Sequence, residues 1–86
     1  MPWFKVDDKL HGHKKPRRAG VAAMGLWVLA GSWAAADLSD GFVPESVCAQ
    51  WAPKDYRKLG GALVAAGLWS AHVKDGEAGW LFHDWT

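Results

Sequence analysis

Cysteine is nearly absent from this chain, and so are the residue patterns of an active site. Cys48 is the single cysteine, which excludes an internal disulfide and fits a reducing compartment. No carboxylate pair lies in an apolar setting, and there is no glycine-rich phosphate loop or nucleophile elbow. Ser70 and His72 lie two residues apart, without a deep pocket predicted around them. We therefore expect no enzyme activity, no catalytic residue and no cofactor, and we expect Cys48 to be a small buried apolar side chain.

Net charge is small, but the charges are unevenly distributed. The formal charge is +1 at pH 7. Residues 1–18 contain six basic and two acidic residues, a charge of +4, whereas residues 19–86 contain four basic and seven acidic residues, a charge of −3. This asymmetry predicts one basic surface on a mildly acidic body. The alternative is a basic loop that serves solubility alone.

Charged residues are also missing from Ala19 to Ala36, directly after the basic residues 14–18 (KKPRR). This order resembles a signal peptide or a twin-arginine leader, with the AAA at 34–36 as its cleavage site. However, the stretch is rich in alanine and glycine, and two aspartates at 7–8 are unusual in a leader. Cleavage would also remove the helix that should cover the core of the remaining chain. We therefore favour a protein that is neither exported nor inserted into a membrane.

Tryptophan, in contrast, is abundant. Seven of the 86 residues are tryptophan, and each of them buries a large area, so that a small domain can close a core that alanine and glycine would leave thin. Half of the residues are hydrophobic and 22% are charged, which is typical of a globular protein. The length predicts a single domain over residues 1–86.

The first half of the chain predicts one strand and one long helix. Residues 3–6 (WFKV) are typical of a short strand, which would pair with a C-terminal hairpin and complete a three-stranded sheet. Residues 9–18 contain Pro16 and predict a loop or a single helical turn. The stretch Ala19–Ala36 predicts the longest helix, and its apolar residues lie on nearly all sides, which is typical of a central buried helix.

The middle of the chain predicts two helices joined by a tight turn. Pro44 and Glu45 form an N-terminal helix signal, and the short helix that they begin ends at Trp51. A second helix begins at once at Lys54 and ends near Gly67, a plausible C-cap. Apolar residues at helical spacing predict its core face: Tyr56, Leu59, Ala62, Leu63 and Ala66.

Extended segments flank these helices. A turn at 39–41 and a short extended piece at 42–43 precede them. After them, alternation over 68–74, a turn at 75–79 and an extended run at 80–85 predict a hairpin. Helix, turn, helix and hairpin is the order of elements in a winged helix-turn-helix. The predicted fold class is therefore mainly α with a small antiparallel β-sheet.

Several motifs resemble one protein family. They are WFKVDD at 3–8, GLW and AGSW in the long helix, DGFVP at 40–44 and FHDW at 82–85. In these motifs the chain resembles the N-terminal winged-helix domain of actinobacteriophage and prophage replication-initiation proteins, which are related to phage replisome organisers. The resemblance implies binding of origin DNA, or primosome assembly with a host or phage replication protein, in the cytoplasm of an infected bacterium. Such proteins often continue past the position of Trp85, which implies a fragment or a shortened relative.

The candidate DNA-binding residues lie in the second helix of the pair, in the basic segment and in the hairpin. A docked helix reads the major groove with its first turns, which predicts contacts from Lys54, Arg57 and Lys58. Arg57 has the forked head for bidentate guanine readout, whereas lysine more naturally contacts phosphate. The other candidates for phosphate contact are Lys14, Lys15, Arg17, Arg18 and, in the hairpin, Lys74. Asp75 and Glu77 at the hairpin turn would repel DNA. We therefore do not expect this hairpin, the wing of the predicted fold, to insert into a DNA groove.

Two interpretations of the function stay open at this point. In the first, the protein binds double-stranded DNA as a homodimer, because helix-turn-helix proteins gain affinity and specificity from two half-sites. In the second, the winged helix is a protein-interaction or self-assembly module, which the near-neutral charge and an exposed tryptophan patch would favour. The basic helix face would then be an ordinary solvated surface.

The spacing of the histidines raises the question of a metal site. His11 and His13 could lie beside His83 and Asp84 if the two ends of the chain meet in the sheet, and a zinc site needs three or four ligands in tetrahedral geometry. Nothing in the sequence shows that these ligands converge, and a His-Gly-His loop is usually a polar turn. We therefore expect no metal.

Overall fold

The computed structural model describes residues 14, 19–37, 39–83 and 85. In chain order its elements are α1 (Val21–Asp37), β1 (Phe42–Pro44), α2 (Glu45–Trp51), α3 (Tyr56–Ala65), β2 (Trp69–Lys74) and β3 (Glu77–Phe82). The strands form one antiparallel sheet in the order β1-β3-β2. A helix, a short strand, two helices and a hairpin, with β1 beside β3, is the topology of a winged helix. The predicted fold class is confirmed.

The third strand of this sheet is β1 rather than the predicted strand at residues 3–6, which lies outside the described residues. β1 is three residues long and pairs with β3 from Phe42↔Leu81 to Pro44↔Gly79. The tight turn before it has positive φ at Asp40 (55°) and Gly41 (85°), and the Phe42 N–H donates to the Ser39 carbonyl at 3.2 Å. The predicted turn at 39–41 is therefore confirmed, and it aims β1 along β3.

Helix α1 is buried along one face, not on all sides as its sequence predicts. Its core-facing residues are Ala23, Leu26, Ala30, Gly31, Ala34 and Ala35. On the opposite side Val21, Val28 and Leu29 are 92%, 42% and 47% exposed. The helix packs mainly on α3, with smaller contacts to α2 and β1. Among the described residues, the other two helices and the small sheet therefore cover only one side of α1.

The helix pair begins and ends as its capping residues dictate. Pro44 is the N-cap of α2, and the Ala52 N–H closes the helix on the Cys48 carbonyl at 3.0 Å. At the end of α3, the Gly67 N–H bonds the Val64 carbonyl and the Leu68 N–H bonds the Leu63 carbonyl. This is the Schellman pattern, and Gly67 has the left-handed φ of 82° that the pattern requires. The prediction of a glycine cap at this position is confirmed.

The hairpin turn is shorter than predicted. Asp75 and Gly76 alone form it, with φ of 52° and 78°, and β3 already begins at Glu77. Positive φ at both central residues is the type I′ turn that Asp-Gly favours, because its twist matches that of the two strands. Residues 77–79, which the sequence assigned to the turn, are therefore paired with β2.

Aromatic side chains close the core between the helices and the sheet. Trp69 is 1% exposed, and its ring stacks on Trp80 with 5.4 Å between centroids. Phe82 meets Trp69 edge-on at 5.3 Å and contacts Trp27 of α1 at 6.1 Å. Cys48 is fully buried in the same cluster, as predicted. The tryptophans of the hairpin therefore tie the wing to the helices.

Candidate nucleic-acid interface

The start of α3 brings three basic side chains together on an exposed surface. Lys54, Arg57 and Lys58 are all exposed. The regular helix begins at Tyr56 rather than Lys54. Lys54 lies in the turn before the helix, where the Tyr56 N–H donates to the Ala52 carbonyl at 2.9 Å. The N-cap residue Asp55 has a φ of −113° and a ψ of 0°, outside helical geometry. Arg57 and Lys58 are therefore the basic residues that the first turn of α3 itself presents.

Close packing on the sheet fixes the position of α3. Leu63 is fully buried on its inner side. Gly60 lies so close to the wing that a Cβ atom built on it would be 2.4 Å from Cζ2 of Trp80. The absence of a side chain at this position lets the helix backbone approach the indole ring. This close contact therefore fixes the position of the helix turn that carries Arg57 and Lys58.

Arg57, the candidate for guanine readout, is engaged within the protein. Its Nε donates to Oε1 of Glu45, in α2, at 3.2 Å, and its guanidinium lies 5.6 Å from the centroid of the Tyr56 ring. The hydrogen bond to Glu45 is the main cause that raises the pKa of Arg57. The Arg57 side chain is 78% exposed, and ion pairs at such sites are weak. Only Nε is bonded to Glu45, so the Nη1 and Nη2 groups stay available for a bidentate contact with a base, while the Glu45 carboxylate beside them opposes a phosphate.

The rest of the exposed α3 surface carries no hydrogen-bonding side chain. Gly61, Val64 and Ala65 are exposed along it, with Val64 at 37%. In a major groove such residues make apolar contacts, for example with the thymine methyl group, and do not distinguish bases by hydrogen bonds. Directional readout by this helix would therefore depend on its first turn.

The wing has mixed charge. Lys74 is exposed at the end of β2, and its Nζ lies 5.8 Å from the centroid of the Phe42 ring. His72 meets the same ring edge-on at 5.8 Å. Asp75 and Glu77 are exposed at the tip. Asp75 directly follows Lys74, and Glu77 is its partner across the hairpin. These two carboxylates weaken Lys74 as a phosphate contact.

Most of the predicted basic segment lies outside the described residues. Lys14 is exposed, whereas Lys15, Arg17 and Arg18 belong to the part that is not described. The same holds for three of the residues weighed as metal ligands, namely His11, His13 and Asp84. Within the described ranges, no three His, Cys, Asp or Glu side chains are grouped so as to hold a metal ion. Within those ranges there is also no helix with the length and hydropathy to cross a bilayer.

Glu45 and Phe42 contact candidate DNA-binding residues, and the sequence does not predict either contact. Glu45 is predicted only as a helix start signal, and its ion pair with Arg57 spans twelve residues. Helical spacing does not predict such a pair, because it depends on how α2 and α3 cross. Phe42 was assigned only to an extended piece, and the ring lies beside Lys74 because β1 and β2 flank the same strand.

The element order and the sheet order are compatible with a winged helix-turn-helix, in which the start of α3 carries exposed basic residues. No protein-family model matches the chain, and neither a curated protein nor a solved structure does. The class therefore depends on the topology, the sheet order and the capping geometry.

Proposed function

We propose that this protein binds double-stranded DNA through the first turn of α3. The observation that carries the proposal is the exposed group of Lys54, Arg57 and Lys58 at the start of the second helix of a helix-turn-helix. Helices in this position enter the major groove with their N-terminal residues. Lys54 and Lys58 would contact phosphates, and Arg57 would present its Nη1 and Nη2 groups to a base edge while Nε keeps its bond to Glu45.

The biological setting of the proposal follows from the phage-type motifs. They favour replication initiation or transcription control in the cytoplasm of a bacterial host, with a host or phage replication protein as a further partner. The winged-helix topology supports this setting at the level of fold.

A homodimer is part of the proposal, because three basic residues give one copy a small DNA contact. The outer face of α1 is the surface that fits a second copy. Apart from Asp37 at its end, the helix is uncharged, so two such faces meet without like-charge repulsion. Gly25 is exposed, and a Cβ atom built on it would have no neighbour within 4 Å, so a second helix backbone can approach closely there. A symmetric α1–α1 contact would leave both copies of α3 free.

A second candidate function is protein interaction without sequence-specific DNA binding. The same α1 face favours it, because three of the five large apolar residues exposed in the described part of the chain lie there. In the basic surface, by contrast, Arg57 is paired with Glu45. DNA binding stays the first proposal because the basic residues occupy the position where a helix-turn-helix meets the groove.

The test is fluorescence anisotropy of labelled duplex DNA at two salt concentrations. The variant Lys54→Ala/Arg57→Ala/Lys58→Ala should lose most of the affinity and lower the slope of log K against log salt by roughly one per phosphate contact. Glu45→Gln is expected to have the opposite effect: it keeps the shape of the side chain and an oxygen that can accept from Arg57, but it removes the negative charge beside Arg57 and should therefore tighten binding. Lys74→Ala serves as the control for a cation elsewhere on the surface, and it should change affinity less than the triple variant.

Two results would contradict the proposal. Absence of binding at low salt is the first, and the second is binding that the triple variant leaves unchanged. Circular dichroism of each variant checks that the fold is retained. None of the five altered side chains, at positions 45, 54, 57, 58 and 74, belongs to the buried core.

A further inference from the structure

An open groove lies on the side of the sheet where the wing, the start of α2 and the end of α1 meet. Its volume is about 910 Å³. Buried or half-buried apolar side chains line its inner part: Trp33 of α1, Phe42 and Pro44 of β1, and Val47 of α2. Exposed charged residues stand around them. The groove therefore combines an apolar floor with a charged rim.

The charge of that rim is mainly negative. Asp37, Asp75 and Glu77 line the groove and are exposed, against one cation, Lys74. No ion pair neutralises these three carboxylates within the described residues. The last turn of α1 carries no basic residue, so the partial negative charge of that helix end adds to the same potential. Two independent sources therefore make this side of the molecule attractive to cations.

Lys74 illustrates how a cation fits against the floor. Its Nζ lies 5.8 Å from the centroid of the Phe42 ring, within the range of a cation–π contact. A lysine or arginine from another molecule would find a second aromatic ring in Trp33, which is half-buried at the groove. Its charge would then lie beside the carboxylates of the rim.

We infer that this groove binds a short basic segment of a partner protein, with cationic side chains on the rim and an apolar side chain on the floor. The negative rim excludes the phosphate backbone of DNA from this side. The molecule therefore has two functional sides, a basic α3 surface and an acidic wing groove. This inference does not depend on DNA binding through α3, because no residue of the groove belongs to that helix. Lys74 is the one candidate DNA contact that also lines the groove, and here it is assigned to the rim.

The inference is tested with a fluorescein-labelled peptide of sequence RKLFRK, titrated with the protein at low salt. Two peptide controls accompany it: the charge-reversed EDLFED, and RKGSRK, which keeps the charges and lacks the apolar pair. We expect binding of RKLFRK, weaker binding of RKGSRK and none of EDLFED.

Two protein variants locate the contact. Asp75→Asn/Glu77→Gln removes two rim charges and keeps the turn, since Asn-Gly also forms type I′ hairpins. Its affinity for RKLFRK should fall about tenfold, as expected for two partly screened ion contacts. Asp40→Asn/Asp55→Asn removes the same charge at two exposed positions that do not line the groove, and it should retain the affinity of the unmodified protein.

Equal weakening by both double variants would overturn the inference, because it would show general attraction of a basic peptide to an acidic protein. Equal binding of RKLFRK and RKGSRK would overturn the role of the floor. Absence of binding would overturn the whole inference and leave the DNA proposal unaffected.

Discussion

At the residue scale, two neighbouring glycines of α3 have opposite roles. A Cβ atom at Gly60 would be 2.4 Å from the Trp80 ring, whereas one at Gly61 would meet nothing within 4 Å. Gly60→Ala should therefore lower the free energy of unfolding by about 1–3 kcal/mol through overpacking. Gly61→Ala should raise it by up to about 1 kcal/mol, because alanine is the better helix former.

Urea unfolding followed by tryptophan fluorescence measures both changes. The pair is matched, since the two substitutions are identical and lie in adjacent positions of one helix. Similar shifts for the two variants would show that α3 does not press on Trp80 as described.

Cys48 gives a pH-dependent prediction at the same scale. Burial first, and the Glu45 carboxylate second, raise the pKa of its thiol from 9.0 to about 12. The folded protein therefore keeps a proton that the unfolded chain loses, and the free energy of unfolding should fall as the pH rises from 9.0 to about 12. Below that window the contribution of Cys48 is constant.

We would measure chemical denaturation of the unmodified protein and of Cys48→Ala across the alkaline range. Lysine and tyrosine titrate in both proteins, so the difference between the two reports the contribution of Cys48. The variant should lose stability less steeply with pH. Equal slopes would contradict the prediction, and so would rapid reaction of the native thiol with a thiol reagent at pH 8.

At the element scale, the wing is specified by a two-residue turn. Gly76 has φ of 78° and open space around its Cβ position, so Gly76→Ala tests backbone strain without a steric clash. We expect a loss of about 1–2 kcal/mol in the free energy of unfolding, since alanine disfavours the left-handed region.

Asp75→Asn is the control, because asparagine tolerates the φ of 52° found at that position. It should leave stability nearly unchanged. Thermal unfolding by circular dichroism compares the two variants, and a Gly76→Ala protein as stable as Asp75→Asn would contradict the type I′ turn.

At the scale of the whole molecule, the exposed surfaces differ in kind: a basic start of α3, an acidic wing groove and an uncharged α1 face. The last of these predicts association. Leu29, which is 47% exposed on α1, should be central to a dimer contact, so Leu29→Glu should convert dimer to monomer by placing two carboxylates against each other.

Sedimentation velocity over a range of protein concentrations measures this change. Val73→Glu is the matched control, because Val73 is 64% exposed on β2. This variant introduces the same negative charge at a position that is not on α1. A protein that is monomeric at every concentration before mutation would contradict the dimer, and equal effects of both variants would assign the contact to another surface.

The sequence by itself determined the order of elements and most of their ends. Pro44 with Glu45, the stop before Pro53 and the glycine at 67 are local signals, because capping and turn geometry involve neighbouring residues. The amphipathic pattern of α3 likewise predicted its buried side, which includes Leu63 and Ala66.

Only the tertiary structure decided which surfaces these elements share. The pairing of Arg57 with Glu45 and the contacts of Phe42 with the wing join residues that are far apart in the chain. The exposed side of α1 depends on which elements pack against that helix. The hairpin turn was misjudged because residues 77–79 carry turn-forming types, yet they pair with β2 once Asp75 and Gly76 reverse the chain. Packing selects among locally allowed conformations, and a sequence pattern alone does not show that selection.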